Sequence, residues 1–180
     1  MNKLIVISGP SGVGKGTIVN ELLKKGDYAL SISCTTRAPR VGEKEGTAYF
    51  FISKQKFLSM IEVGGFLEYD NHFENYYGTP KEFVEKQLQT KNVILEIEVN
   101  GAFKVKESYP EAILIMIAPP GIEELKSRLE GRGTESDKAI AERLARLDYE
   151  LSQSDKYDYT VINDDLQRAV AEIEQIIKNS

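Results

Sequence analysis

The apolar run Leu4-Ile5-Val6-Ile7 stops at Gly9-Pro10-Ser11-Gly12-Val13-Gly14-Lys15, and no other stretch of the chain limits its fold so strongly. These seven residues have the spacing G-x-x-x-x-G-K of a phosphate-binding loop, the P-loop. Consecutive backbone N–H groups can curl around a phosphate only where the chain is free of the usual φ restrictions, which is what the glycines supply. Residues 3–8 read as a buried strand, because the run is short, apolar and ends at a glycine-rich turn. Residues 17–25 read as a helix, with Ile18, Leu22 and Leu23 at helical spacing and Gly26 just beyond. The positive end of that helix faces the anion, and Lys15 adds a full charge. Residue 16 is Gly, where this motif normally carries a Ser or Thr whose hydroxyl meets Mg2+. Thr17 follows, and Mg2+ keeps most of its waters readily, so binding through phosphate oxygens and water remains workable.

The rest of the chain alternates in the same way. Residues 93–98, 112–118 and 159–162 read as three more strands, the second closed by Pro119-Pro120-Gly121, and a helix is expected from about 164 to 178. Alternation of this kind predicts an α/β fold around a largely parallel sheet. With 180 residues and no repeat or linker, one domain is expected. Residues 31–91 differ in texture: they hold Tyr49, Phe50, Phe51, Tyr69, Phe73, Tyr76 and Tyr77, and read as short strands plus two helices inserted on one side of the core. The second of these helices is expected to begin at Thr79-Pro80-Lys81-Glu82, a capping-box spacing with Pro at the first helical position.

The 23 basic and 28 acidic residues leave a net charge of −5, which argues against coating nucleic acid or an anionic membrane. No apolar run approaches the roughly 18 residues of a membrane span, and the first residues lack the apolar stretch and cleavage site of a secretory leader. Cys34 is the one cysteine and His72 the one histidine, so neither an intramolecular disulfide nor a zinc site is expected. The cytosol is the compartment these features predict. Cys34 is expected to be buried and His72 exposed.

Seven arginines stand against sixteen lysines, and the arginines cluster: Arg37 with Arg40, Arg128 with Arg132 at i, i+4, and Arg143 with Arg146 one turn apart; Arg168 stands alone. Arginine is the planar fork suited to bidentate phosphate recognition. The polar, glycine-flanked segment 131–136 suits a lid that carries its arginines over a bound nucleotide. Neither a Ser-His-Asp nor a Cys-His set can be assembled. Transfer to a phosphate needs no positioned base, since a monophosphate with a second pKa of about 6 is mostly dianionic at neutral pH. Two polyanions must instead be held in line against their repulsion, a task for Lys, Arg and Mg2+. Glu96 and Glu98, at period two on an apolar strand, share one face, and that face is expected to open on a cleft rather than a core.

Gly9 to Thr17, the Ser33-Cys34-Thr35-Thr36-Arg37-Ala38-Pro39-Arg40 segment, Glu68 through Tyr76-Tyr77-Gly78-Thr79, Arg128 to Glu135, and Asn163-Asp164-Asp165 together resemble the guanylate kinases, in order and over nearly the whole chain. The resemblance implies transfer of the γ-phosphoryl group of ATP to GMP, and to dGMP, giving ADP and GDP with Mg2+ bound alongside ATP. It implies a three-layer P-loop kinase core (residues 1–30, 92–127 and 147–180), a mixed α+β GMP-binding insertion (about 31–91) and a helical lid (about 128–146). Carried over by position, Gly9, Pro10, Ser11, Gly12, Val13, Gly14, Lys15, Gly16, Thr17 and Asn163 fall to ATP. Arg37, Arg40, Tyr49 and Tyr77 fall to the GMP phosphate, and Ser33, Glu68, Thr79 and Glu98 to guanine. Lys15, Arg128, Arg132 and Arg143 surround the transferring phosphoryl group, and Glu96 orders a hydrated Mg2+. The chemistry agrees: guanine presents N1–H and an exocyclic amine side by side to a carboxylate, whereas adenine presents a bare acceptor nitrogen. Two other readings stay open at this point, a catalytically silent interaction module of the same fold and a P-loop kinase for another phosphorylated small molecule.

Overall fold

The computed structural model describes residues 1–72, 74–121 and 137–180, apart from the side chains of His72 and of residues 137–144. In chain order the elements are β1 (Leu4–Ser8), α1 (Lys15–Lys24), β2 (Tyr28–Leu30), β3 (Cys34–Thr35), β4 (Phe50–Phe51), α2 (Lys54–Glu62), β5 (Phe66–His72) and β6 (Asn75–Pro80). They continue with α3 (Lys81–Leu88), β7 (Asn92–Glu96), α4 (Val99–Ser108), β8 (Ile113–Ala118), α5 (Asp137–Ser152), β9 (Tyr159–Ile162) and α6 (Leu166–Asn179).

Five strands form a sheet in the order β2-β7-β1-β8-β9 with every pairing parallel, so the expected α/β class holds. A strand in the middle of such a sheet must be apolar on both faces, and β1 is. Ile5 and Ile7 pack with Ile18 and Leu22 of α1 and Val170 and Ile173 of α6. Leu4 and Val6 point the other way, into Val84 of α3 and Val99, Ala102 and Val105 of α4. The result is three layers, helices over both faces of the sheet. Each such side chain, fully withdrawn from water, contributes on the order of 1.5–3 kcal/mol.

A second, four-stranded sheet has the order β4-β3-β6-β5, with β6 antiparallel to both its neighbours. Phe57 of α2 stacks on Phe66 at 4.3 Å between ring centroids and closes a small aromatic core with Cys34. Cys34 is buried as expected, and burial pushes its thiol up to about 11, so it stays protonated at neutral pH.

Three local expectations are corrected. β2 was not anticipated; it is three residues long with Tyr28 alone fully buried, too short to carry a periodic signal. The strand expected over 93–98 ends at Glu96, and Glu98 instead stands as the extended residue that caps α4. The capping box at Thr79 does not form: Pro80 is the cap of α3 and makes no side-chain bond, because the Thr79 hydroxyl is spent on Glu68.

Candidate active site

Gly14 caps α1 with φ of +98°, a conformation an L side chain adopts only with strain, and the first helical residue is Lys15. A Cβ at Gly14 would also lie 2.6 Å from Nδ2 of Asn163. That amide donates to the Val13 carbonyl at 2.8 Å, while the Asn163 N–H donates to the Ala118 carbonyl at 2.9 Å. Asn163 therefore clasps the phosphate loop to the end of β8. Gly9, with φ of +148°, passes directly against the Ile117 carbonyl, leaving no room for any side chain. The loop is thus held from two sides, with Ser11 and Gly12 exposed at its tip and Val13 anchoring it in the core.

Lys15 donates to the carbonyl oxygens of Gly9 and, at 3.0 Å, Pro10. Burial pushes its ammonium below the ordinary lysine range, and the fields of Glu150, Glu96 and Glu98 push back. Glu96 sits exposed at the end of β7, its carboxylate oxygens 3.8 and 3.9 Å from where a Cβ of Gly16 would stand. The absent hydroxyl at residue 16 thus faces an acid. A lone exposed carboxylate beside a phosphate loop suits Mg2+ held through its waters and through phosphate, not a cage of protein ligands. Among the described residues no group of three or more His, Cys, Asp or Glu could enclose a metal.

Next to Glu96 opens a cleft of about 280 Å3, lined by Ser33, Tyr49, Glu68, Tyr77 and Glu98 together with Asp70, Gly78, Ile97, Asn100 and Gly101. Five of the eight residues that the sequence assigned to an acceptor nucleotide meet here. Thr79, a sixth, lines the adjoining hollow, which shares Ser33, Tyr49 and Glu96 with the cleft. The aim of Glu68 comes from a register shift between Phe66 and Glu68, where β5 carries an extra residue against β6. Leu67 turns into the core under α4, its carbonyl accepting from the Ser108 hydroxyl at 2.7 Å, and Glu68 points into the cleft opposite Thr79. Thr79 Oγ1 donates to Glu68 Oε1 at 2.6 Å. Gly101, in the first turn of α4, lets that helix pass the carboxylate closely: a Cβ there would lie 3.4 Å from Glu68 Oε2. Burial pushes the Glu68 carboxyl above the ordinary range, and the bond from Thr79 draws it back.

Arg37 donates through Nη2 to both carboxylate oxygens of Glu43, at 2.9 and 3.0 Å, and lies 5.6 Å over the Tyr49 ring. Tyr49 in turn meets Tyr77 edge to face at 6.0 Å, so two aromatic rings line the cleft and the Arg37 guanidinium lies over one of them. Arg40 is exposed, and its backbone N–H donates to Glu43 at 2.7 Å. Arg128 and Arg132, and the side chain of Arg143, lie outside the described residues, as do residues 128–136 of the expected lid, while its remainder, 137–146, belongs to α5.

Sequence reasoning missed Asp70, Gly101 and Glu150. Glu150 is buried in α5 and accepts from Arg146 Nε at 3.2 Å; the spacing i, i+4 was there to be read, but nothing marked the acid as facing inward. Glu98 pairs with the same Arg146 through Nη2. Arg168 is bound locally to Asp164, Glu172 and the Ile162 carbonyl, which accounts for its standing alone.

A family model described as guanylate kinase matches residues 1–180. The chain is similar to a guanylate kinase of Caldanaerobacter subterraneus subsp. tengcongensis, 54% identical over 97% of this chain and 85% of that one. A guanylate kinase of Prochlorococcus marinus subsp. pastoris is 46% identical over 99% and 98% of the two chains. Among solved structures, a guanylate kinase from Anaplasma phagocytophilum superposes with a TM-score of 0.75 at 32% identity, covering 99% of this chain and 85% of its own.

Proposed function

The chain belongs to the guanylate kinase family, and from that premise we propose how its residues divide the work of moving the γ-phosphoryl group of ATP onto GMP, giving ADP and GDP. It is an enzyme, a phosphotransferase. The observation that carries the assignment of roles is the half-buried Glu68, held by the buried Thr79 hydroxyl and facing a cleft that opens beside the phosphate loop.

On the donor side, the N–H groups of Gly9 and of residues 11–17 take the phosphates of ATP, with Pro10 shaping the turn without donating, and Asn163 keeps the loop in shape near the base. Lys15 trades its bonds to the Gly9 and Pro10 carbonyls for phosphate oxygens. On the acceptor side, Glu68 and Glu98 accept from the N1–H and amine of guanine, while Ser33 and Thr79 offer hydroxyls. Arg37, Arg40, Tyr49 and Tyr77 hold the GMP phosphate; Arg37 is already stacked on Tyr49 and has only to exchange Glu43 for the substrate. Arg128, Arg132 and Arg143 close from the lid and spread the charge of the transferring group. No base is needed, because the acceptor phosphate arrives deprotonated. Mg2+, brought in with ATP, would neutralise phosphate charge, and Glu96 is the residue that would hold it through water.

The insertion, core and lid are proposed as three units within one domain, with the boundaries read from the sequence. No helix among the described residues is long and apolar enough to cross a membrane, and a cytosolic enzyme without nucleic-acid or membrane partners is the reading that the −5 net charge supports. dGMP, which differs from GMP at the 2′ position alone, is proposed as a second acceptor. The test is coupled ADP release with ATP–Mg2+ against GMP, dGMP, AMP, CMP and UMP. Turnover is expected with GMP and dGMP, and kcat/KM for AMP is expected to be lower by roughly a thousandfold or more, as for a site whose buried polar group is left unpaired by the wrong base. Comparable rates with AMP would overturn the base-reading role of Glu68.

A further inference from the structure

We infer that Arg146 is a positioning residue for the acceptor cleft, tying Glu98 on its wall to the buried Glu150; this rests on the cleft being the GMP site. One guanidinium spans two carboxylates. Its Nε donates to Glu150 Oε1 at 3.2 Å and its Nη2 pairs with Glu98 Oε1. The two acids differ sharply in surroundings: the Glu150 side chain is 9% exposed and that of Glu98 61%. Glu150 is the fixed end, packed in α5, and Glu98, in the turn between β7 and α4, is the end that lines the cleft.

A glutamate at such a turn has a long arm and several rotamers, and nothing in its own backbone selects one. The planar fork of an arginine anchored at its other edge does select one, which a lysine at the same place cannot do. The electrostatics point the same way. Glu68, Asp70, Glu96 and Glu98 all line the cleft, and the acceptor is a dianion. Pairing Glu98 with a cation removes one of four like charges from the path of the substrate while keeping its remaining oxygen available to a donor on the base. Glu150 also belongs to the field around Lys15, so the bridge joins the wall of the acceptor cleft to the surroundings of the phosphate loop.

The inference separates from a direct role of Arg146 in phosphoryl transfer by which constant it moves. Arg146→Gln is expected to raise the GMP KM, and the GMP Kd by calorimetry, about tenfold, with kcat within about twofold and the ATP KM unchanged. Arg146→Lys is expected to recover only part of that loss. In a Glu98→Gln background, Arg146→Gln is expected to add almost nothing, because the group it positions has already lost its charge. Arg146→Gln/Glu150→Gln removes the unpaired buried acid and shows the same GMP defect in a protein whose Tm matches the parent. A fall in kcat of tenfold or more with an unchanged GMP KM would overturn the inference, as would defects of Arg146→Gln and Glu98→Gln that simply multiply. Failure of the parent protein to turn over GMP would instead strike at the functional reading, and is seen before any variant is made.

Discussion

Glu68 sits where burial raises its carboxyl above the usual range, against the pull of the Thr79 hydroxyl at 2.6 Å and the more distant charge of Lys104. A carboxyl whose folded pKa exceeds its unfolded one holds its proton more tightly in the native state. Its contribution to stability is therefore complete below the unfolded value, about 4.3, and is lost as pH rises through the folded one. Glu150, raised for the same reason, behaves alike. Glu68→Gln keeps an acceptor for Thr79 and removes the charge, so its Tm is expected to exceed the parent's at pH 7 and to match it near pH 4. Its kcat/KM for GMP is expected to fall roughly a hundredfold, since an amide cannot accept from two guanine donors. Thermal melts across that pH range, beside the GMP kinetics, check both halves. Retained GMP use would remove Glu68 from the base-reading set. The functional value of this residue was not visible in its spacing; it came from the Tyr-Tyr-Gly-Thr context, and its aim came from a bulge.

The phosphate loop shows an element legible almost in full from its residues. Strand, turn and helix are contiguous, the glycines occur where φ is positive, and the apolar periods on either side fix what is buried. What stayed hidden was the brace. Asn163 lies 150 residues from Val13, and its bond to that carbonyl exists only once β9 lies beside β8. Asn163→Ala is expected to loosen the loop, raising the ATP KM about fivefold to tenfold while the GMP KM stays put, with initial-rate kinetics in each substrate as the check. The end of β7 was illegible for a related reason. Glu96 and Glu98 fit a strand period equally well, and only the start of α4 against the core, through buried Val99 and Ala102, takes the chain out of the sheet between them. Thr79 likewise matches a helix-capping signature, but Glu68 across the β5–β6 ladder competes for its hydroxyl and wins.

At the scale of the whole molecule, an acidic protein of net charge −5 binds two anions, and it does so by placement, not by total charge. Binding should therefore be read as stability. GMP with ADP at about a hundredfold over their Kd adds about 2.7 kcal/mol per site, or roughly 5–10 °C in Tm for a chain of this length. AMP in place of GMP is expected to give only the share due to ADP, and differential scanning fluorimetry with each pair checks it. Resemblance named eight residues proposed for the acceptor, while the sequence by itself determined the fold class and the phosphate loop. These follow from contiguous patterns, where a residue's neighbours in the chain are also its neighbours in space. The tertiary structure decided where the carboxylates point, which hydroxyl meets which acid, and which arginine bridges Glu98 to Glu150. Glu68, Glu98 and Glu150 are three similar acids in sequence, and only the packing of α4, α5 and the bulged β5 makes one a half-buried acid facing the cleft, one an exposed acid on its wall and one the buried partner of Arg146. Such roles depend on burial and on partners tens of residues away, which no local pattern encodes.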